Sequence, residues 1–277
     1  MSDRYAKRFK ALAERKERAF IPFTLLGYPD VESSLTVIKA MIGCGVTALE
    51  LGVPFSDPVA DGPVIQRAVH ETLAKGFKVA DAFALIEKVR QIDREIPIGI
   101  LVYYNVVLAH GVDTFFEHAR KSGIDGVLIA DLPVECADEV LPAAKKAGIE
   151  LIFIISPVTT AERIKLIAAK AGAFIYLVSR LGVTGTQDRQ EDKDKQLSDL
   201  IGQIKESISL PVIAGFGIST PEQASNMLAL GADGVITGSR VIEIIGSTQR
   251  AILGSSLTDF FKHMLNACQN ADYAVKS

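Results

Sequence analysis

Gly123-Ile124-Asp125-Gly126-Val127-Leu128-Ile129 decides the fold, because the chain repeats its pattern four more times. The same glycine, short spacer and apolar run recur at Gly45-Val46-Thr47-Ala48-Leu49-Glu50-Leu51, Gly148-Ile149-Glu150-Leu151-Ile152-Phe153, Gly172-Ala173-Phe174-Ile175-Tyr176-Leu177 and Gly231-Ala232-Asp233-Gly234-Val235-Ile236. In each copy the glycine closes an amphipathic stretch with helical spacing. A glycine just past a helix end adopts the left-handed conformation without a Cβ clash and helps satisfy the last helical carbonyls. The apolar run behind it reads as a strand buried on both faces, as parallel sheets require. Each copy is therefore a helix-to-parallel-strand junction, with a left-handed glycine expected at all five.

The runs 20–27, 97–104 and 211–216 lack the leading glycine but have strand composition, which brings the total to eight strands separated by helical segments. Parallel strands need crossover connections, and eight βα units over about 250 residues match an α/β fold of the (β/α)8 TIM barrel type. The expectation is one barrel domain over residues 1–277, with an N-terminal helix and extra short helices. A doubly wound open sheet competes, but it usually has fewer strands and a GxGxxG turn after the first. Here the first strand runs into Gly27-Tyr28-Pro29-Asp30. No Pro/Gly/Ser linker divides the chain into two small domains.

Composition narrows the functions available. Hydrophobic residues at 48% and charged residues at 23% match a globular chain with a sizeable core, and exclude disordered, collagen-like and coiled-coil classes. Thirty basic against 33 acidic side chains leave a net charge of −3 and no basic stripe, so neither nucleic acid nor an anionic membrane is an expected partner. Cys44, Cys136 and Cys268 are odd in number and far apart, which suggests neither a disulfide framework nor a zinc site. Residues Met1 to Arg18 lack the form of a signal peptide, and no stretch approaches the roughly 18 apolar residues that cross a bilayer. A cytoplasmic location follows as the default expectation.

Barrel active sites lie at the C-terminal ends of the strands. Those ends carry Thr24, Glu50, Tyr104 with Asn105, Asp131, Ser156, Ser179 with Arg180, Gly215 to Gly217, and Gly238 with Ser239. No lysine ends a strand, which counts against a Schiff-base aldolase. The histidines His70, His110, His118 and His263 are scattered along the sequence and read as surface or capping residues, so no metal centre is expected. Glu50 has apolar neighbours on both sides, where burial raises a carboxyl pKa and suits it to proton transfer. Asp57 and Asp61 follow on a proline-stiffened loop, Gly52-Val53-Pro54-Phe55-Ser56-Asp57-Pro58-Val59-Ala60-Asp61-Gly62-Pro63. Each is a site carboxylate or a cap of the helix that begins near Pro63. Ala214-Gly215-Phe216-Gly217-Ile218-Ser219 and Thr237-Gly238-Ser239 end strands seven and eight, the usual phosphate site of this fold, with simple turn glycines as the other reading. Gly182-Val183-Thr184-Gly185 can add N–H donors or form a lid.

These residues give the chain a resemblance to a known family. Phe20-Ile21-Pro22-Phe23, Leu49-Glu50-Leu51-Gly52-Val53-Pro54-Phe55-Ser56-Asp57-Pro58 with its continuation to Asp61-Gly62-Pro63, Pro97-Ile98-Gly99, Gly182-Val183-Thr184-Gly185 and Gly215-Phe216-Gly217-Ile218 resemble, in order and over nearly the whole chain, the tryptophan synthase alpha subunits. The second stretch is the most specific. The resemblance implies a lyase that performs retro-aldol cleavage of indole-3-glycerol phosphate to indole and glyceraldehyde 3-phosphate. By the same resemblance Glu50 is the acid/base, Asp61 accepts the indole N–H and Tyr176 lies near the reacting centre. Phe23, Leu101, Leu128, Ala130 and Phe216 would line the indole pocket, and Thr184, Gly185, Gly217, Gly238 and Ser239 would bind substrate at its phosphate end.

The resemblance further implies a beta subunit as partner in an alpha2beta2 complex, with pyridoxal phosphate in that partner and no cofactor in this chain. Pro54, Asp57 and Pro58 would belong to the loop that faces it. The segment Thr186–Lys195 is more charged than this lid is expected to be, and Asn270–Ser277 reads as a tail with no evident role. A stand-alone lyase and a mainly regulatory subunit are the alternatives. Intact Glu50 and Asp61 argue against the second.

Overall fold

A computed structural model describes residues 3–179 and 190–269. Helix α1 (Arg4–Arg15) precedes β1 (Ala19–Leu25), α2 (Val31–Gly43), β2 (Leu49–Gly52), α3 (Pro63–Ala74), α4 (Val79–Ile92) and β3 (Ile98–Val102). Then come α5 (Tyr104–His110), α6 (Val112–Ser122), β4 (Gly126–Ile129), a 3-10 turn at Val134–Glu139, α7 (Leu141–Ala147), β5 (Glu150–Ile155), α8 (Ala161–Lys170) and β6 (Ile175–Val178). The chain continues through α9 (Gln190–Ser207), β7 (Val212–Gly215), α10 (Pro221–Ala229), β8 (Gly234–Thr237), α11 (Ser239–Ser247) and α12 (Leu253–Gln269). Each strand pairs in parallel with the next and β8 returns to β1, closing the eight-stranded barrel that the repeated junction predicts.

Four of the five junction glycines have the expected backbone, with φ of 76° at Gly45, 85° at Gly123, 68° at Gly148 and 106° at Gly231. Gly172 does not. There Ala173 takes the left-handed conformation, at φ 53°. Gly172 meets a packing demand instead, since a Cβ at that position would fall 1.9 Å from Oε2 of Glu150.

A residue one or two positions before β2, β4 and β8, the third of the junction motif, staples the barrel floor in one repeated way. Thr47, Asp125 and Asp233 donate their backbone N–H to the carbonyls of Phe20, Ile98 and Val212. Their side-chain oxygens accept the N–H of those same three residues, at 3.0, 2.9 and 2.9 Å. The two aspartates are held by cations as well. Asp125 is almost fully buried between Arg4 and Arg90, at 2.7 and 2.9 Å, and Asp233 meets Lys205 and Arg18 at 2.7 and 3.2 Å. A buried carboxylate without such partners would be costly.

Side chains alternate along a barrel strand between interior and helix layer. Register places Phe23 beside Glu50, Glu50 beside Gly99 and Gly99 beside Gly126. Tyr5 of α1 fills the floor beneath this row: a Cβ on Gly99 would lie 2.6 Å from its hydroxyl, and one on Gly126 3.2 Å from its ring. Its ring packs against Phe9 and Phe174, with centroids 6.1 and 5.8 Å away. Tyr5 thereby plugs the floor at the N-terminal ends of these strands, leaving the C-terminal ends as the side of the site.

Candidate active site

Glu50 lies within β2 rather than at its end, on the interior row above Tyr5. It is 5% exposed. Burial disfavours its charged form, and the negative charge of nearby Asp61 adds to this, pushing the carboxyl up to about 8. Among the described residues Oε2 has no hydrogen-bond partner. A carboxyl that is neutral over most of the physiological range, with one oxygen left without a hydrogen-bond partner among the described residues, can give up a proton and take one back.

Asp61 reaches the site on the loop between β2 and α3, and neither it nor Asp57 caps that helix. The N-cap of α3 is Gly62, which has no side chain to cap with, and Pro63 at the first helical position removes one of the N–H groups that would otherwise lack a partner. The loop is braced by Asp61 N–H to the carbonyl of Pro58, 3.0 Å, and by Gln66 Nε2 to the carbonyl of Asp61, 2.8 Å. Burial raises the Asp61 carboxyl, while a hydrogen bond from Tyr103 opposes the rise. Asp57 is exposed and accepts a bond from Ser56 Oγ at 2.5 Å, whereas Pro54 and Pro58 are buried.

Tyr103, not the Tyr104 expected at the end of the third strand, is the tyrosine that reaches the site. Tyr104 turns away and donates to Glu139 at 2.5 Å, while its N–H donates to Asp131, tying the end of β4 to the start of α5. Tyr103 instead donates its hydroxyl to Asp61 Oδ2 at 2.9 Å and accepts the N–H of Ala60 at 3.0 Å. The signal that could have found it is period two from Gly99 and Leu101, which makes Tyr103 the next interior position after β3.

The apolar residues named from the sequence converge. Phe23, Leu128 and Tyr176 are buried, and Leu101 and Ala130 half-buried, all at interior parity. Glycines make room for the rings: a Cβ on Gly52 would sit 2.6 Å from the Phe23 ring, and one on Gly215 would sit 2.3 Å from the Tyr176 hydroxyl. Phe216 stands at the mouth, its ring edge-on to Tyr176 with centroids 6.3 Å apart. It holds φ 67°, and Ser179 Oγ braces it through bonds to the carbonyls of Phe216 and Gly215, at 2.7 and 3.1 Å. Gly217 follows at φ 76° and is exposed. Gly238 is the N-cap of α11 and Ser239 its first residue, so free backbone N–H groups and the positive end of the helix dipole lie beside the β7 loop. Arg180, Gly182, Val183, Thr184, Gly185 and the tail from Asn270 lie outside the described residues.

Two other strand-end residues are structural. Thr24 alternates with Phe23 and so faces the helix layer, and Ser156 closes a turn with Thr159. The histidines are less scattered than their spacing implies, because α5 and α6 fold back at Gly111 and bring His110 Nε2 within 2.9 Å of His118 Nδ1. Among the described residues no three His, Cys, Asp or Glu side chains gather as a metal site, and no helix is long and apolar enough to cross a membrane. A cavity of about 460 Å³ between β4, β5 and α8 is lined by neither Glu50 nor Asp61 and shares only Ala130 with the apolar residues of the site.

Known proteins are similar to this chain in sequence and in fold. The family model described as tryptophan synthase alpha chain matches residues 9–268. A tryptophan synthase alpha chain of Methanothermobacter thermautotrophicus is 47% identical, over 82% of this chain and 83% of its own. The structure of tryptophan synthase subunit alpha from Legionella pneumophila superposes with a TM-score of 0.88 at 31% identity, covering 98% of this chain and all of that one. A chain of the tryptophan synthase complex from Pyrococcus furiosus superposes with a TM-score of 0.80 at 34% identity, covering 90% of this chain and 99% of its own.

Proposed function

This chain belongs to the tryptophan synthase alpha chain family, and from that premise we propose that its one barrel domain cleaves indole-3-glycerol phosphate to indole and glyceraldehyde 3-phosphate with Glu50 and Asp61 as the reacting carboxyl groups. The observation that carries the assignment is Glu50, a buried interior acid raised to about 8 beside a second carboxylate. Protonated Glu50 delivers its proton to the indole carbon that bears the side chain. Positive charge then develops on the ring nitrogen, and the Asp61 carboxylate stabilises it through the N–H.

Glu50, now an anion, takes the proton of the side-chain hydroxyl. The oxygen electrons form the aldehyde carbonyl, the carbon–carbon bond breaks, and its electron pair restores the neutral indole ring. Glu50 ends protonated, so one group serves as acid and base and the cycle closes. Phe23, Leu101, Leu128, Ala130, Tyr176 and Phe216 supply an apolar slot for the ring. N–H groups around Gly217, Gly238 and Ser239, at the N-terminus of α11, suit the phosphate. Thr184 and Gly185 are assigned to substrate by family resemblance.

The likeness to a chain of the Pyrococcus furiosus complex supports a beta subunit as partner, and the family resemblance assigns the contact to the loop that carries Pro54, Asp57 and Pro58. Pyridoxal phosphate would belong to that partner and the site here needs only side chains. Indole release from indole-3-glycerol phosphate, measured with and without added beta subunit, tests the assignment. Wild type should release indole, faster with the partner, and Glu50→Gln should lose at least about 10²-fold in turnover while still binding substrate. Turnover near wild type in that variant would remove Glu50 as proton carrier.

A further inference from the structure

We infer that Tyr103 decides which of the two carboxyl groups is the anion, by committing its single hydroxyl proton to Asp61 and none to Glu50. The inference rests on the reaction assigned above and adds a positioning residue to it. A phenol carries one proton and two lone pairs. The backbone N–H of Ala60, 3.0 Å away, can only donate, so Tyr103 Oη must accept from it. The hydroxyl proton is then left for Asp61 Oδ2 at 2.9 Å.

A carboxylate accepts that bond more strongly when ionised. Among the described residues no such donor reaches Glu50 Oε2, so in a site that favours one charge over two the charge settles on Asp61. The phenol cannot swing away from this duty. Phe55 stacks on its ring with centroids 5.2 Å apart and planes at 26°, and the residue is 1% exposed. The bond also joins neighbouring βα units, since Tyr103 follows β3 and Asp61 lies on the loop after β2. Asp61 is therefore held as an anion for the indole N–H before substrate arrives, with Oδ1 not engaged by Tyr103. The charge so fixed helps keep Glu50 protonated.

The test replaces Tyr103 by Phe, which keeps the ring and removes the proton. The first readout needs no substrate: the Asp61 carboxyl, labelled with carbon-13 and identified by its loss in Asp61→Asn, is titrated by NMR. Its midpoint should rise by about one pH unit, the size of a lost hydrogen bond to an anion. In the second readout the acid limb of the kcat/KM profile for indole release should move up by the same interval, so that activity falls about tenfold at the acid end and little above it. The alkaline limb, assigned to Glu50, should stay in place.

Should Tyr103→Phe fold poorly, 3-fluorotyrosine at position 103, a stronger donor of the same shape, should lower the Asp61 midpoint. An unchanged midpoint in both proteins overturns the inference even if indole is released normally. A shifted midpoint in a chain that releases no indole upholds it and overturns the reaction assignment.

Discussion

Glu50 makes the cost of a reactive group measurable. Its carboxyl stands near 4.5 in an unfolded chain and about 8 in the folded one, chiefly through burial. Between those values the folded protein binds a proton that the unfolded chain has lost, so stability falls as pH rises through that window and levels off above it. Glu50→Gln removes the titration. The stability of the variant relative to wild type should therefore climb steadily from about pH 5 to about pH 8 and then stay flat, spanning a few kcal/mol in all, and the difference in melting temperature should follow it. Thermal melts across that range decide it, and a difference independent of pH would mean that Glu50 does not titrate there. The burial of Glu50 was legible because Ala48, Leu49 and Leu51 flank it in sequence. That its Oε2 meets no donor among the described residues was not, since donors come from elements distant along the chain.

Among the elements, the β7 loop and the start of α11 carry the phosphate assignment, and the structure separates their two glycines. A Cβ on Gly238 would lie 3.2 Å from the Phe23 ring, so enlarging Gly238 crowds the indole wall as well as the anion site. Gly217 is exposed, although a β-branched residue at its φ of 76° also strains the loop. Gly217→Val should weaken binding of indole-3-glycerol phosphate about tenfold or more while changing indole affinity little, and Gly238→Val should weaken both. Calorimetric titration with each ligand checks this, and equal losses at Gly217 would point to general disruption. The junctions show how far a local pattern reaches. Gly123 and Gly231 were readable as helix ends from their neighbours alone. Asp125 and Asp233, two residues on, were visible in the same motif, yet their role as staples depends on Ile98 and Val212 in adjacent strands.

At the scale of the whole molecule, one stretch of chain serves two surfaces. The loop from Pro54 to Pro63 buries Pro54 and Pro58, half-buries Asp61, and presents Asp57 and Val59 to solvent, Val59 at 78% exposure. A partner that grips the exposed side can shift the population of loop states that aim Asp61, and it alters catalysis only by the difference in its affinity for those states. Asp57→Ala should therefore reduce the stimulation by beta subunit several-fold while leaving the slow basal cleavage within about twofold. Assays at saturating partner for both proteins check it. Stimulation of equal size would take this loop out of the coupling.

Eight βα units, their order and the closed parallel barrel were determined by the sequence itself. Hydrophobic period and junction glycines act on backbone conformation within a few residues, and a parallel sheet with helical crossovers leaves few ways to close. The carboxyl groups at Glu50 and Asp61 and the glycines after β7 and β8 were legible for the same reason, as residues at or near the mouth-side ends of short apolar runs. Only the tertiary structure decided that Tyr103 rather than Tyr104 meets Asp61, that Tyr5 plugs the floor beneath Glu50, that Ala173 rather than Gly172 takes the left-handed turn, and that His110 meets His118. Each of these depends on which side chains the barrel's register, tilt and helix packing bring within a few ångströms of one another. Those distances are set by closure of the whole sheet, which no single segment encodes.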